Sequence, residues 1–393
     1  MVYYCLVLLF LLSSCAGRVS RCDSQVESFR SGDLTAVDEK SFPIGEYTRN
    51  SDAARLLLDR GVIRLAQGDA EGSFADLREA IDAIDFYRKT LAHEKAAQLL
   101  IDDKRTPYIA KRSESIFARI YAAFACYDLA KTEDAFVFLK QALAVEDLSN
   151  EEEGKRIYSP LLAYLMALHL ERQRDYSQAA LFYQRAYDVC HLDFIKKDIG
   201  RKKNSNATVL FIVHQGLIPE KKSIVAPASI VSAAAVEILL SGMNIPPAIS
   251  SLSGISLPAF PKGRHEKEPR FVGIGSETYR TEKIEDLFTL AKRELDDEIP
   301  AIAAQAAARQ LIRRAAVGVV RDKHPLAGDI ADLFTLVANL ATEADIRMWK
   351  TLPHAIYLTR VDLPPGTYDV EGVKMTLKEG DLRVHQIFNL KGE

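Results

Sequence analysis

The sequence contains few side chains whose type and spacing could carry out catalysis. Its eight histidines are His93, His169, His191, His214, His265, His324, His354 and His385. None belongs to an H-E-x-x-H motif or lies beside spaced cysteines, so the sequence indicates no zinc site. It also contains neither a G-x-S-x-G nucleophile elbow nor a Walker phosphate loop. We therefore predict no catalytic residue, no metal site and no cofactor.

Two short stretches leave a chemical alternative open. The stretch GIGSE, residues 273–277, is predicted to follow a strand and precede a helix, where backbone amides could hold a phosphate. It lacks the third glycine and the lysine of phosphate loops, so a tight turn is the default. His214 ends a predicted strand, a position that many active sites use. Because the sequence names no catalytic partner for it, we expect a buried or surface histidine.

The third candidate for chemistry is the thiol of Cys15, through acylation. The run from Val2 to Leu12 has no charge, glycine or proline. It is shorter than the roughly 20 residues of a membrane span but fits the apolar part of a signal peptide. Leu12-Ser13-Ser14-Cys15 resembles the lipobox of bacterial lipoproteins. The first residues lack the Lys or Arg that normally opens a signal, which leaves a buried N-terminal helix as the alternative.

The lipobox resemblance implies that residues 1–14 are a signal peptide and that Cys15 carries palmitate and related acyl chains. Each buried methylene contributes about 0.8 kcal/mol, so the three chains of a bacterial lipoprotein anchor it permanently. Ala16, where inner-membrane lipoproteins carry Asp, favours the outer membrane and a periplasm-facing protein. Residues 15–50 are polar and without periodicity, so we expect a tether.

The composition is typical of a globular protein, with 48% hydrophobic and 27% charged residues. A formal net charge of −3 argues against a broad nucleic-acid surface, so we expect no nucleic-acid partner. Cys22, Cys126 and Cys190 remain outside the signal and the lipobox. A disulfide is an option in an oxidising periplasm, but buried single cysteines are favoured.

Three stretches of the N-terminal half, 68–81, 130–143 and 172–187, are similar to one another. In each, a small residue is followed by a bulky one four positions later and by alanine after three more. This spacing places all three residues on one helix face. A further small residue lies twelve positions before each triplet. The triplets are Ser73, Leu77 and Ala80; Ala135, Leu139 and Ala142; and Ala179, Tyr183 and Ala186, preceded by Gly61, Ala123 and Ala167.

This pattern resembles the tetratricopeptide repeat. The resemblance implies stacked helix pairs whose first helices line a concave surface. The first-helix tryptophan of that family is absent, and the units are 62 and 44 residues apart rather than about 34. A generic helical bundle is therefore the alternative. We predict a tetratricopeptide-like helical domain over residues 51–192.

The register of that family also implies a set of residues near the concave surface. A groove of this kind holds an extended peptide or a partner's helix. The alternative is that its aromatic residues fill the core between repeats. Our candidate peptide groove consists of Arg55, Tyr127, Asp128, Tyr164 and Arg172.

The second half has a different pattern. Residues 193–206 are basic and turn-rich and are predicted to be a linker. Residues 207–216 are a predicted strand, and Glu282–Leu295 is a predicted helix, with another helix starting beside Pro300. The last 45 or so residues return to strands, which we predict to form a meander. The expected fold is thus an N-terminal all-α tetratricopeptide-like domain followed by an α+β domain over 207–393.

Two stretches resemble a family of uncharacterised Gram-negative lipoproteins that also carry a lipobox and tetratricopeptide-like helices. They are ATVLFIVHQGLIP (207–219) and EADIRMWKTLPHAIYLTRVDLPPGTY (343–368). The closing signature of that family is matched by Asp345, Arg347, Trp349, Leu352, Pro353, Arg360, Pro365 and Gly366. From the residues themselves, we expect Trp349 to fill a helix–sheet junction and Asp345 to pair with Arg347.

These observations favour a non-enzymatic adaptor on the bacterial outer membrane. Its expected partners are cell-envelope proteins such as peptidoglycan synthases or a secretion assembly. The alternative is a periplasmic hydrolase with its active site in the C-terminal α+β domain. A cleft that brings His214 to a carboxylate would support the hydrolase, whereas a filled core around His214 would count against it.

Overall fold

The computed structural model describes residues 22–34, 37, 52–91, 107–154, 157–201, 206–226, 255–261, 270–323 and 344–390. Cys15 and the predicted signal peptide lie outside these residues. A helical N-terminal region is followed by a region that contains the sheets, as the sequence predicts. In the part of the chain that the structure describes, no helix has the length and apolarity that a membrane span requires.

The N-terminal region consists of short helices that pack in sequential pairs: α2 against α3, α4 against α5 and α6 against α7. Helix α1 lies inside the predicted tether, and α8 lies inside the predicted linker. The helices are α1 (22–30), α2 (Ala53–Ala66), α3 (Ala70–Leu91), α4 (Arg112–Asp128), α5 (Thr132–Glu153), α6 (Pro160–Arg172), α7 (Tyr176–Cys190) and α8 (Asp193–Ile199).

The three helix pairs share one turn geometry. The second residue of each turn, Gly68, Ala130 or Arg174, has a positive φ of 84°, 57° or 65°. Its N–H bonds to the carbonyl three residues back, and the next N–H bonds to the carbonyl five residues back. This is the Schellman ending of a helix. Only one of the three turns carries the glycine that this backbone favours.

The three predicted triplets all lie in the core between paired helices. All nine side chains are at most 2% exposed. The small residues that precede them on the first helices, Gly61, Ala123 and Ala167, are also buried. A Cβ atom added to Gly61 would lie only 2.7 Å from Cγ of Leu77, which explains why the residue there is glycine. At Gly61, the absence of a side chain therefore lets α2 lie close to Leu77 of α3.

The described residues of the C-terminal region form two four-stranded sheets and a two-stranded one. In the first sheet the order is β10-β1-β7-β6, in the second β5-β4-β8-β9, and β2 pairs with β3. The strands are β1 (Ala207–Gln215), β2 (Lys222–Val225), β3 (Ser256–Ala259), β4 (Phe271–Ile274), β5 (Glu277–Arg280), β6 (Glu282–Asp286), β7 (Ala355–Leu363), β8 (Gly366–Val370), β9 (Val373–Leu377) and β10 (Leu382–Asn389).

Strand β1 is the centre of the molecule because both of its faces are buried. Leu210 and Ile212 pack into the core formed with the helices, and Val209, Phe211 and Val213 pack against the second sheet. A strand covered on both sides needs apolar residues at every position. The unbroken apolar run of β1 is therefore explained by three layers, which are helices, first sheet and second sheet.

The predicted C-terminal meander is wrong. Strand β10 returns to pair in parallel with β1, with Thr208 opposite Leu382, whereas β8 and β9 form a hairpin in the second sheet. The buried Val370 and Leu377 of that hairpin cover the outer face of the first sheet. A meander would have left this apolar face exposed to water.

The predicted helix over Glu282–Leu295 is also wrong in its first turn. Residues 282–286 form β6 along β7, and helix α9 (Leu287–Lys323) begins only afterwards. Pro300 lies inside α9 rather than at the start of a new helix. The edge position beside β7, which sequence periodicity does not reveal, determines the conformation of this segment.

The helical region and the first sheet share one hydrophobic core. Trp349 is fully buried at their junction, with its ring centroid 5.5 Å from that of Tyr121 on α4. Asp345 pairs with Arg347, whose Nη2 lies 2.8 Å from the carboxylate. Both expectations for the closing signature are confirmed.

The positive φ of Ala130 gives a first testable prediction. Replacement by glycine relieves backbone strain, so Ala130→Gly should raise the free energy of unfolding by about 0.5–1 kcal/mol. The matched control is Ala144→Gly, at an exposed position inside α5, which should lower it by about 1 kcal/mol. Denaturant titration measures both. Equal destabilisation by the two substitutions would contradict the turn geometry.

Candidate functional site

The five residues of the predicted groove lie on first helices, and most of them contact other parts of the same chain. Arg55, on α2, is 3% exposed and faces the carboxylates of Asp23, Asp52 and Asp59 at 3.5–3.7 Å. Asp59 in turn accepts hydrogen bonds from the backbone N–H groups of Lys350 (2.9 Å) and Thr351 (3.0 Å). Burial raises the pKa of Asp59 to about 6. This end of the predicted groove is covered by residues 350–351.

Tyr127 and Asp128, at the end of α4, are also in contact with the chain itself. The Tyr127 hydroxyl and Nε2 of His169 on α6 form a hydrogen bond of 2.6 Å. The carboxylate of Asp128 accepts a hydrogen bond of 2.9 Å from Nε2 of Gln386 on β10. Burial raises the pKa of Asp128 to about 6 and lowers that of His169 to about 4. Strand β10 thus lies where the sequence placed a peptide.

His214 lies in a filled interior between α4 and β10. Its ring stacks on Phe388 with centroids 4.2 Å apart, Nδ1 is 2.9 Å from the Tyr121 hydroxyl, and Nε2 is 3.3 Å from Oε1 of Gln386. Burial lowers the pKa of His214 to about 3, so the ring is neutral at physiological pH. The carboxylate of Asp128 is connected to His214 only through the side chain of Gln386, which bonds to both. The ring therefore serves packing and hydrogen bonding here.

The GIGSE stretch forms the tight turn between β4 and β5 rather than a strand–helix loop. The N–H of Gly273 donates to the carboxylate of Glu371, and the N–H of Gly275 donates to the carbonyl of Asp369 at 2.8 Å. Two of the amides proposed as phosphate donors are thus used within the fold.

Tyr164 belongs to a buried ionic network at the end of β7. Its hydroxyl donates to Asp198 at 2.7 Å. Arg360 donates both terminal nitrogens to Glu171, at 2.7 and 2.9 Å, and Nε to Asp362 at 3.0 Å. Burial alone would raise the pKa of Glu171, but the bonds from Arg360 hold it below its ordinary value. This network joins α6 and α8 to the first sheet.

Arg172 is the predicted groove residue that lines a cleft. The cleft has a volume of about 340 Å³ and lies between the α6–α7 turn and the β9–β10 turn. Nη1 of Arg172 donates to the carbonyl of Gly380 at 3.0 Å across it. Arg174 lines the same wall, and Glu379 and Asp381 line the other. Its volume lies within the roughly 300–1,000 Å³ of ligand-binding clefts.

Sequence reasoning missed the carboxylates that fasten the C-terminal half to the helices. Glu285, on β6, accepts a hydrogen bond of 2.6 Å from Oγ of Ser159 at the start of α6. Glu294, on α9, accepts one of 2.8 Å from the N–H of Ser113 at the start of α4. Burial raises the pKa of Glu285 to about 8 and that of Glu294 to about 7. No local pattern marks these residues, since each acts on a partner more than 100 positions away.

A small cavity lies beside this fastening, between α4, α9 and Trp349. It has a volume of about 20 Å³ and is lined by Glu114, Lys221 and Glu294 among others. Burial lowers the pKa of Lys221. The volume matches roughly one water molecule. The cavity is too small to hold a substrate.

No protein-family model matches the chain, and comparison with curated proteins and with solved structures finds no similar protein. Within the described residues, no group of three or more His, Cys, Asp or Glu side chains could hold a metal ion. The candidate site therefore has to be judged on its own geometry. The Arg172 cleft has a volume of about 340 Å³, and its lining includes Leu168, Glu171 and Arg172 of α6.

Glu285 gives a prediction about pH. Its pKa in the folded chain is about 8, above the ordinary value of 4.5, so the folded state keeps a proton that the unfolded state releases. The contribution of Glu285 to the free energy of unfolding is fully present below about pH 4.5 and is lost as the pH rises through 8. Glu285→Gln keeps an acceptor without the charge, so it should stabilise the protein at pH 9 by at least about 1 kcal/mol.

The gain should be smaller at pH 5.5, where folded Glu285 is already protonated. Denaturant titrations at both pH values measure the difference. Asp82→Asn, at an exposed position in the interior of α3, is the matched control and should change neither titration. A gain that does not depend on pH would show that Glu285 is not buried as described.

Proposed function

We propose that this protein is a non-enzymatic interaction scaffold, held by acylated Cys15 on the periplasmic side of the bacterial outer membrane. In this proposal the Arg172 cleft binds a segment of a cell-envelope partner. The observation that carries it is the position of the cleft. The tetratricopeptide register assigns one face of the helices to ligands. On that face, the cleft has a volume of about 340 Å³ and is lined by charged side chains.

The scaffold is built from three tetratricopeptide-like repeats. The support is that each helix pair has the same Schellman turn, the same buried triplet and the same small residue on the first helix. The spacing between these features is identical in all three pairs. A generic bundle has no reason to repeat the turn and the contact together.

The chemistry of the cleft favours a polar, extended protein segment. Arg172 and Arg174 present guanidinium groups on one wall, and Glu379 and Asp381 present carboxylates on the other. Between them a segment with both acidic and basic side chains finds complementary charge, which favours specificity and fast association. A peptidoglycan synthase or a component of a secretion assembly fits this description as a partner in the cell envelope.

A hydrolase in the C-terminal half has less support. Its best candidate, His214, is 1% exposed in a filled core, and Gln386 lies between it and the carboxylate of Asp128. The small cavity beside Lys221, which titratable side chains line, has room for roughly one water molecule. The proposal therefore assigns the cleft to binding rather than to catalysis.

The cleft predicts the effect of charge reversal. Arg172→Glu with Arg174→Glu should lower partner recovery in a pull-down from detergent-solubilised membranes by at least about tenfold, since two favourable contacts become repulsive. The matched control is Arg78→Glu, an exposed arginine on α3, which should leave recovery unchanged. A photo-crosslinker at position 174 should label the same partner. Equal recovery with both variants would remove the cleft as the binding site.

The proposed lipid anchor predicts how Cys15→Ser changes acylation and membrane association. This variant should incorporate no labelled palmitate in a Gram-negative host and should move from the membrane fraction to the soluble fraction, because no acyl chains remain to be buried. Cys190→Ser, which changes a partly exposed thiol, should keep both label and location. An intact amino terminus with an unmodified Cys15 thiol, in protein from its own host, would refute the lipoprotein assignment.

A further inference from the structure

Helix α1 is fastened to the body of the protein within the predicted tether. Cys22, Val26 and Phe29, spaced four and three residues apart, lie on one helix face and are at most 1% exposed. All three belong to the main hydrophobic core, and Phe29 is among its largest fully buried side chains. Burying a Phe side chain contributes about 1.5–3 kcal/mol. The helix is therefore part of the folded body.

Polar contacts fix the same helix at both ends. At its end, Arg30 donates to the carbonyl oxygens of Lys350 (2.6 Å) and Ile218 (3.1 Å). At its start, the carboxylate of Asp23 lies 3.3 Å from Nζ of Lys350. A guanidinium that bridges two distant carbonyls fixes the orientation of the helix as well as its position. The chain is thus held from residue 22 onwards.

The number of residues before α1 limits how far the body can lie from an acylated Cys15. Cys22 lies seven positions after Cys15, with six residues between them. A fully extended chain covers at most about 3.6 Å per residue, so this link reaches no more than about 25 Å. A free tether from Cys15 to Asp52 would reach about 130 Å by the same rule. Docking of α1 removes most of that length.

We infer that the face of the body formed by α1, residues 218–220 and residue 350 is the membrane-facing surface, held against the lipid by the short link. This rests on the proposed acylation of Cys15. The occupant of the surface is a lipid bilayer rather than a protein, because the link is too short to let another domain lie between them. The partner cleft then has a fixed height and orientation above the membrane.

The charged side chains on this face pair with one another. We therefore expect its contact with the membrane not to depend on the charge of the lipid headgroups. Lys350 lies 3.3 Å from Asp23 and 3.5 Å from Glu220, and Arg30 lies 3.5 Å from Glu220. These four groups balance one another, so together they offer no excess positive charge to anionic lipids. The acyl chains supply the attraction, and the distance between body and lipid should not change with salt.

The test measures energy transfer from a dye on the body to labelled lipid headgroups in vesicles of neutral lipid. The dye is placed at Lys222→Cys, an exposed position two residues from Glu220, in the acylated Cys190→Ser chain. The matched control carries a 30-residue Gly/Ser insertion after Ala16, which raises the root-mean-square length of the link from about 15 Å to about 33 Å. The native link should give at least about twofold higher transfer than the insertion, and 0.5 M salt should not lower it.

A second measurement separates this inference from the proposed function. Amide hydrogen exchange on a chain that begins at Ala16, without lipid, should show residues 22–30 protected as strongly as α2. Rapid exchange of α1, or equal transfer with and without the insertion, overturns the membrane-facing surface while acylation stands. Absence of an acyl group on Cys15 by mass spectrometry overturns the proposed function and this inference together.

Discussion

The docking of the helices on the C-terminal half depends on buried carboxylates. Each of them accepts hydrogen bonds from backbone N–H groups of the opposite half. From the helices, Asp59 and Glu114 bind N–H groups of residues 349–351. From the C-terminal half, Glu285 and Glu294 bind groups at the starts of α6 and α4. Burying a carboxylate costs several kcal/mol and is offset only when geometry is good. Apolar burial drives the two halves together, and the carboxylates restrict them to one arrangement.

This docking changes which surfaces of the helix pairs are available for binding. An array of helix pairs normally offers the face of its first helices to a ligand. Here β10 and residues 349–351 cover that face along α2 and α4, so the predicted groove is largely internal. The cleft lies at the other end of the helical region, where the α6–α7 turn faces the β9–β10 turn and one end of the first sheet. The proposed binding site therefore follows from where the sheet ends.

Local patterns were predictable, and contacts distant in sequence were not. Periodicity reveals the triplets ending in Ala80, Ala142 and Ala186, because each triplet lies within two turns of one helix. It also reveals the apolar run of β1, which lies within one strand. Strand β6 was missed because its conformation depends on pairing with β7, some 70 residues later. The groove residues were placed on the correct helices, but their exposure depended on β10, which the sequence placed in a meander. Helix α1 was missed because its apolar signal is only three residues.

In the lipid-anchored form that we propose, the length of the link between Cys15 and α1 limits which partners the cleft can reach. The effective concentration of a tethered group falls roughly as the −3/2 power of tether length. Shortening a free link from 37 residues to seven therefore raises the local concentration of the body at the membrane about tenfold. A short link also restricts orientation, because α1 is fixed to the core by Phe29 and Arg30. In the proposed arrangement, a short link favours partners whose binding segment lies close to the membrane and excludes those that need a long reach.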